Sequence, residues 1–302
     1  MKDVIVYQID SFTQEKFKGN PAGVVLNAEK LTSEEMQLIA RELNNSETAF
    51  VLKPNSENEG FDYHIRYFTP TTEVPICGHA TIAALYAKAI ESKLESCIIK
   101  IYTQVGILPI YIERIENDYQ ITMTQGAFQL SPVFDLSTEE NIVKALGLKM
   151  EDLDEKCPVQ IASTGHSKVM IGIKSRSILN SLTPDFTSLA QLSKMINCNG
   201  YFVFTFDTDD ENILTYGRMF APAIGISEDP VTGNANGPLG GYLIQNKIIE
   251  MADGTFEFTA RQGEAINRIG EMKVEVTVNN SIPNTIRITG NAVVVFRVTM
   301  SI

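Results

Sequence analysis

Two stretches of this chain set a glycine between a proline-bearing loop and a helix of small residues: EVPICGHATIAALY at 73–86 and EDPVTGNANGPLGGYL at 228–243. A glycine just ahead of a helix lets the backbone turn tightly. It also aims the unpaired N–H groups of the first turn outward, where the helix dipole adds to their pull on an anion. Gly78 and Gly233 are therefore either ordinary helix starts or twin cradles for a small carboxylic acid facing one cleft. His79 falls in the first turn, where the positive end of the dipole favours the neutral imidazole. Such a ring donates one hydrogen bond and accepts another, from a ligand or merely from nearby backbone. Asp229 is a helix cap, a clamp on a substrate amine or a turn residue. The upstream junction carries Val74 instead of an acid.

The chain around these junctions also repeats. Arg66, Phe68 and Pro70 stand 152 residues before Arg218, Phe220 and Pro222, and Pro75, Gly78 and Ala80 stand 155 before Pro230, Gly233 and Ala235. Upstream, Ile39 and Leu43 precede Leu192 and Ile196 by 153. Self-similarity over half the chain reads as duplication of a domain-sized unit rather than a solenoid of small repeats. At the 153-residue offset Glu47, in NNSETAFV, falls opposite Gly200, in NCNGYFVF. Only one copy supplies a carboxylate. Glu47 is either a solvated loop residue or, half-buried between a helix end and a strand, a group that exchanges a proton with a ligand.

The elements that must position these residues are legible in outline. DVIVYQI and AGVVL read as strands on either side of the Gly19-Asn20-Pro21 turn. In LTSEEMQLIARELN, Thr32 and Glu35 have capping-box spacing and Met36, Ile39, Ala40 and Leu43 line one face, so a helix is predicted to end near Asn44. TAFVL and FDYHIRYF are strands leading into the first junction and a helix over 79–93. CIIKIYT, ILPIYI and YQITM then close the half. Ser137 and Glu140 repeat the capping-box spacing ahead of NIVKALGL, followed by strands VQIAS and KVMIGI, an amphipathic helix in SLAQLSKMIN, and strands YFVFTF and TYGRMF. After the second junction come TFEFTA, KVEVTV, TIRIT and AVVVFRV. Many short strands and few helices predict an α+β fold, a mixed sheet or barrel wrapped on helices. The expected organisation is two pseudo-symmetric lobes, 1–125 and 126–302, the last strand or strands packing back on the first lobe.

Composition excludes several function classes. A 302-residue chain with 44% hydrophobic residues buries a core without difficulty, and its formal charge of −12 argues against nucleic acid, whose binding rests on clustered Lys and Arg. The amino terminus lacks a signal-like stretch and no window approaches a membrane span, so a soluble cytoplasmic protein is expected. Cys77, Cys97, Cys157 and Cys198 form no CxxC pair, and His64, His79 and His166 lack helical metal spacing, so neither a disulfide framework nor a metal site is expected.

The chain resembles the phenazine-biosynthesis isomerases (PhzF-like proteins), which share the diaminopimelate epimerase fold. The likeness runs over nearly the whole length and is carried by FKGNPAGVV, NNSETAFV, RYFTPTTEVPICGHATIAA, STGHSKVMI and GRMFAPAIGISEDPVTGNANGPLGGYL. It implies that each lobe is a barrel-like mixed sheet around a central helix, that the active site lies between the lobes, and that the protein is a homodimer. It also implies a cofactor-free isomerase acting on a small, cyclic or unsaturated amino- or hydroxy-carboxylic acid. Glu47 matches the family's catalytic acid/base, with His79 and Asp229 as its site partners. Asn20, Cys77, Gly78, Thr232, Gly233 and Asn234 are the substrate-binding positions. Asn234 departs from the phenazine enzymes, which carry Ser there, and its amide suits a different acid.

Three alternatives remain open at this point, one of them an interaction or scaffold protein, favoured only if the cleft is closed or apolar throughout. A two-base racemase or epimerase of the same fold uses one thiol from each lobe. Cys77 takes the first place, but the offset gives Thr232 for the second, a hydroxyl that cannot replace a thiolate without a strong base beside it. A non-catalytic acid-binding protein would keep the helix-start amides and lack a proton carrier such as Glu47.

Overall fold

The computed structural model describes residues 2–54 and 60–302. In chain order the first half holds β1 (Asp3–Ser11), β2 (Asn20–Val25), α1 (Ser33–Leu43), β3 (Thr48–Leu52), β4 (Tyr63–Phe68), β5 (Glu73–Val74), α2 (Gly78–Ser92), β6 (Cys97–Thr103), β7 (Gly106–Ile115) and β8 (Asp118–Thr124). There follow β9 (Gln129–Val133), α3 (Leu136–Ala145), β10 (Gln160–Ser163), β11 (Lys168–Ile173), α4 (Arg176–Ser181), α5 (Phe186–Ile196), β12 (Tyr201–Thr205), β13 (Ile213–Ala221), β14 (Ile226–Asp229) and α6 (Gly233–Gln245). The chain finishes with β15 (Gly254–Gln262), β16 (Gly270–Asn279), β17 (Ile282–Gly290) and β18 (Ala292–Ser301). Contacts divide it into two compact units, Met1–Thr124 with Thr289–Ile302, and Gln125–Ile288. β18 pairs antiparallel with β1 along its whole length, from Asp3 opposite Ser301 to Ser11 opposite Ala292.

The two units repeat one pairing scheme. In the first, β1 and β2 are antiparallel, β2 and β3 parallel, β3 and β4 antiparallel, β4 and β6 parallel, β6 and β7 antiparallel. In the second, β10 and β11, β11 and β12, β12 and β13, β13 and β15, and β15 and β16 follow the same sense in the same order. Register repeats as well. Phe50 faces Arg66 and Val203 faces Arg218, while Thr48 faces Phe68 and Tyr201 faces Phe220. α1 and α5 are both 11 residues long, and each ends on an asparagine in the left-handed region, Asn44 and Asn197, both at φ 52°.

The helices divide by composition. α1 and α5 are amphipathic. Met36, Ile39 and Ala40 enter a cluster with Val6, Val25, Phe50 and Phe68, and Leu189 enters one with Tyr201, Val203 and Phe220. Burial of each large side chain contributes about 1.5–3 kcal/mol before entropy is counted. α2 and α6 are different: His79–Ala87 and Ala235–Ile244 are buried on every face. A helix apolar all round belongs inside a lobe. The alanines of α2 admit β1, β2, β3, β8 and β18 to close range, and α6 packs on β10, β11 and β16.

The capping box at Thr32 forms, with Glu35 N donating to Thr32 Oγ1 at 3.3 Å and Thr32 N to Glu35 Oε2 at 2.8 Å. Its expected twin at Ser137 and Glu140 does not form. Asp135 caps α3 instead, accepting from Thr138 N and Thr138 Oγ1 at 2.9 Å each. A carboxylate two residues upstream is the stronger acceptor and starts the helix earlier. α4 has no counterpart in the sequence reading. Among the described residues, no helix is long and apolar enough to cross a membrane.

Candidate active site

In the N-terminal unit the site is built where β3 begins and α2 begins. Glu47 follows the end of α1 and precedes β3, and its carbonyl accepts from Gly23 N of β2 at 3.3 Å. Its side chain is 16% exposed, buried enough to matter and open enough to meet a ligand. Glu47 Oε2 lies 3.4 Å from His79 Nε2, and Ser46 Oγ lies 3.3 Å from the same nitrogen. His79 is held from behind, its carbonyl accepting from Ser11 Oγ of β1 at 2.8 Å. Asn20 is buried in β2 directly opposite Ser11. Beside Gly78 the space is open, a Cβ there meeting only Met123 Sδ at 3.8 Å.

Cys77 is buried at the N-cap of α2, its Sγ 3.3 Å from His79 Nδ1 and 3.9 Å from Nε2. Near-equal distances place the sulfur against the Cε1 side or face of the ring, off both lone-pair lines. Glu47, Cys77 and His79 offer metal-ligating atoms within 4.8 Å of one another, a trio that spacing along the sequence does not reveal. The ring cannot direct one lone pair at a centre shared with both partners, and the positive end of α2 disfavours a cation. The arrangement is better matched to hydrogen bonding and proton exchange. Below it, Thr81 Oγ1 donates to Cys77 O at 2.7 Å and meets Tyr67 Oη at 2.6 Å. Burial pushes the Tyr67 hydroxyl pKa up, which keeps its proton in place.

The C-terminal unit carries the corresponding junction. Asp229 closes β14, and its carboxylate accepts a short hydrogen bond from Thr232 Oγ1. Gln262 of β15, almost fully buried, ties the junction together. Its Nε2 donates to Asp229 O at 2.7 Å and to Thr232 Oγ1 at 3.2 Å, and its Oε1 accepts from Thr232 N at 3.1 Å and Asn236 Nδ2 at 3.0 Å. Thr232 thus gives its proton to Asp229 and a lone pair to Gln262. It is a residue pinned from both sides. Gly233 O accepts from Gln125 Nε2 at 2.9 Å, and Gln125 Oε1 accepts from Thr164 Oγ1 at 2.8 Å. Asn234 Nδ2 lies 3.4 Å from His166 Nδ1.

The frame behind each junction is duplicated atom for atom. Arg66 makes a bidentate pair with Glu73, Nε to Oε1 and Nη2 to Oε2 both at 2.8 Å, and lies 5.0 Å over the Phe68 ring. Arg218 pairs with Glu228 at 3.0 and 2.7 Å and lies 5.0 Å over Phe220.

The sequence profile of phenazine biosynthesis-like proteins matches residues 9–298. This chain belongs to that family, the PhzF family. An uncharacterised isomerase of Clostridium acetobutylicum is 56% identical over 97% of this chain and 96% of its own. The trans-2,3-dihydro-3-hydroxyanthranilate isomerase of Pseudomonas aeruginosa is 30% identical over 94% of each. The crystal structure of a Bacillus anthracis PhzF-family protein superposes with a TM-score of 0.90 at 36% identity, covering 100% of both chains. A hydroxyproline epimerase of Agrobacterium vitis shares the fold alone, with a TM-score of 0.62 and 9% identity over 99% of this chain and 92% of its own. The chain is therefore a PhzF-family isomerase with the α+β, diaminopimelate epimerase-like fold.

Within this family frame, the structure brings Glu47, His79, Cys77, Gly78 and Asn20 together in one unit, and Asp229, Thr232, Gly233 and Asn234 in the other. It adds residues that the sequence reading passed over. Ser46 and Lys168 stand inside the quoted motifs, in NNSETAFV and STGHSKVMI, without a pattern that marks them. Gln262 and Gln125 carry no signal, because each reaches its partners through strand pairing from 26 or more residues away.

Proposed function

We propose that this isomerase moves a proton within a small, cyclic or unsaturated amino- or hydroxy-carboxylic acid, using Glu47 as its only acid/base group and needing no cofactor. The observation that supports the reading most is Glu47 Oε2 beside the first turn of α2, 3.4 Å from His79 Nε2, where the other unit has Gly200. Glu47 as carboxylate takes a proton from a carbon next to a C=C bond. The C–H electron pair enters the conjugated system, which then takes the same proton back from Glu47 at another carbon. Atoms and charge balance, and the carboxylate is restored. His79, donating from Nε2, orients the Glu47 carboxylate. The first-turn amides at Gly78 suit a carboxylate, as do those at Gly233 within the other unit, where Asp229 suits an amine. Positioning and acid–base transfer supply the rate.

The name of the Pseudomonas relative specifies a hydroxylated cyclic amino acid of this class. Asn234 in place of Ser argues for a related acid rather than that one. The test is turnover of such acids in D2O, beginning with trans-2,3-dihydro-3-hydroxyanthranilate, by the wild type and by Glu47→Gln. The variant should lose about 100-fold or more in rate and in solvent deuterium incorporation, with affinity little changed. Undiminished exchange in the variant removes Glu47 from the mechanism, and binding without exchange in the wild type marks a non-catalytic binder.

A further inference from the structure

The C-terminal unit has no side chain at the position of Glu47, yet that place is filled. Gly200 precedes β12 as Glu47 precedes β3, and its carbonyl accepts from Val169 N of β11 at 2.8 Å, as the Glu47 carbonyl accepts from Gly23 N. A Cβ built on Gly200 would stand 2.3 Å from Lys168 Cδ, 2.7 Å from Cε and 3.3 Å from Nζ. The last distance is within the reach of a glutamate carboxylate oxygen from its own Cβ. Lys168 thus lays its stem over the vacant Cβ position and its amine at the distance from it that a second carboxylate would have.

Several facts set this lysine apart from a surface charge. The residue is 8% exposed. An ammonium carries three donors, and among the described residues the only hydrogen bond of Lys168 Nζ is to Ser167 O at 3.2 Å. Burial lowers its pKa, opposed by the charge of Asp229 and by Cys198, so it lies within electrostatic range of the junction acid. Keeping a cationic group in such a place is costly unless something else satisfies it. Among the described residues, Ser167 O satisfies one of its three donors and no side chain hydrogen-bonds the others.

We infer that Lys168 is the ligand-binding cation of the C-terminal unit, donating to an anionic oxygen of the substrate. The group of the substrate that it meets is a carboxylate. The inference rests on the proposed substrate class but not on Glu47 as proton carrier. It gives the duplication a chemical logic, with the matching positions carrying a proton acceptor in one unit and a fixed cation in the other.

The probe is 3-hydroxyanthranilate, a stable aromatic acid of the proposed class, with its uncharged carboxamide as the control. Protein with 15N-labelled lysine reports the Lys168 amine directly. Its resonance should shift with the acid and stay put with the amide. In Lys168→Met, whose chain still covers Gly200, affinity for the acid should fall by about tenfold or more while that for the amide holds. A resonance that ignores the acid or answers both compounds alike overturns the inference. So does failure of the acid to bind, or an unchanged acid-to-amide ratio in a Lys168→Met protein. Deuterium exchange in Glu47→Gln is read separately, so either assignment can fall without the other.

Discussion

The N-terminal and C-terminal units share a frame and differ in what the frame holds. Both set an arginine on the strand before the junction, fork it onto a glutamate and stack it on a phenylalanine. Both start a buried helix on glycine, and both bond the fourth residue after the N-cap back to the N-cap carbonyl, through Thr81 in one case and Asn236 in the other. Glu47 in one copy is Gly200 under Lys168 in the other, and Cys77 beside an imidazole is Thr232 clamped by Asp229. Duplication therefore kept the parts that hold the chain in place and changed the side chains proposed here to act on a substrate. Glu47→Gln is the largest functional break expected of this comparison. The stability of the frame offers smaller ones.

The two arginine frames are alike in geometry but not in burial. The side chains of Arg218 and Glu228 are 9% and 10% exposed, against 20% and 25% for Arg66 and Glu73. Arg218 also donates to Leu179 O at 3.0 Å and Leu182 O at 3.1 Å, whereas among the described residues Arg66 adds only Ser33 Oγ at 3.0 Å and Met36 Sδ. Arg218→Met strands a buried carboxylate, takes a donor from two carbonyls and should cost about 3–5 kcal/mol. Arg66→Met leaves Glu73 reachable by water and should cost about 1–2 kcal/mol. Urea midpoints of the two variants decide the matter. Equal losses would mean that the shared geometry, not its burial, sets the energy.

How far such differences could be foreseen depends on the length scale of their cause. The repeat, the capping box at Thr32 and the two junctions are written in neighbouring residues, so counting finds them. Glu47 and His79 were legible because each stands at the end of an element that its own neighbours define. Lys168 was not, since a lysine opening KVMIGI reads as the charged end of a strand. Its burial follows from a missing side chain 32 residues later on a parallel neighbour. Gln262 and Gln125 likewise owe their roles to partners that only strand pairing brings near, and α3 begins at Asp135 because a local carboxylate outcompetes a motif two residues on.

The Glu47 and Gly200 positions should also differ in what a small change does to stability. Glu47→Ala removes a partly buried carboxylate whose ion-pair partner among the described residues is His79, and the loss should stay within about 1 kcal/mol. Gly200→Ala adds one methyl group against the Lys168 stem and should cost about 1–3 kcal/mol by overpacking. Combining it with Lys168→Ala should recover part of that cost, and the double-mutant cycle measures how much. An additive pair would show that the lysine stem yields freely and does not fill the vacant position.

The smallest expected effect comes from acid. Hydrogen bonds from Arg66, the main cause, hold the Glu73 carboxyl pKa below its ordinary value against the opposing effect of burial. A carboxylate whose folded pKa is depressed binds fewer protons folded than unfolded, so stability rises with pH across that interval. The Arg66–Glu73 contribution is then complete above the unfolded value, about 4.3, and drains away as pH falls through the folded one. The stability gap between wild type and Arg66→Met should be flat from about pH 6 to pH 8 and narrow below about pH 4. Urea titrations across that range test it. A gap that persists in acid would assign the Arg66 contribution to its packing over Phe68 and leave the ion pair idle, making the partly exposed frame a matter of shape alone.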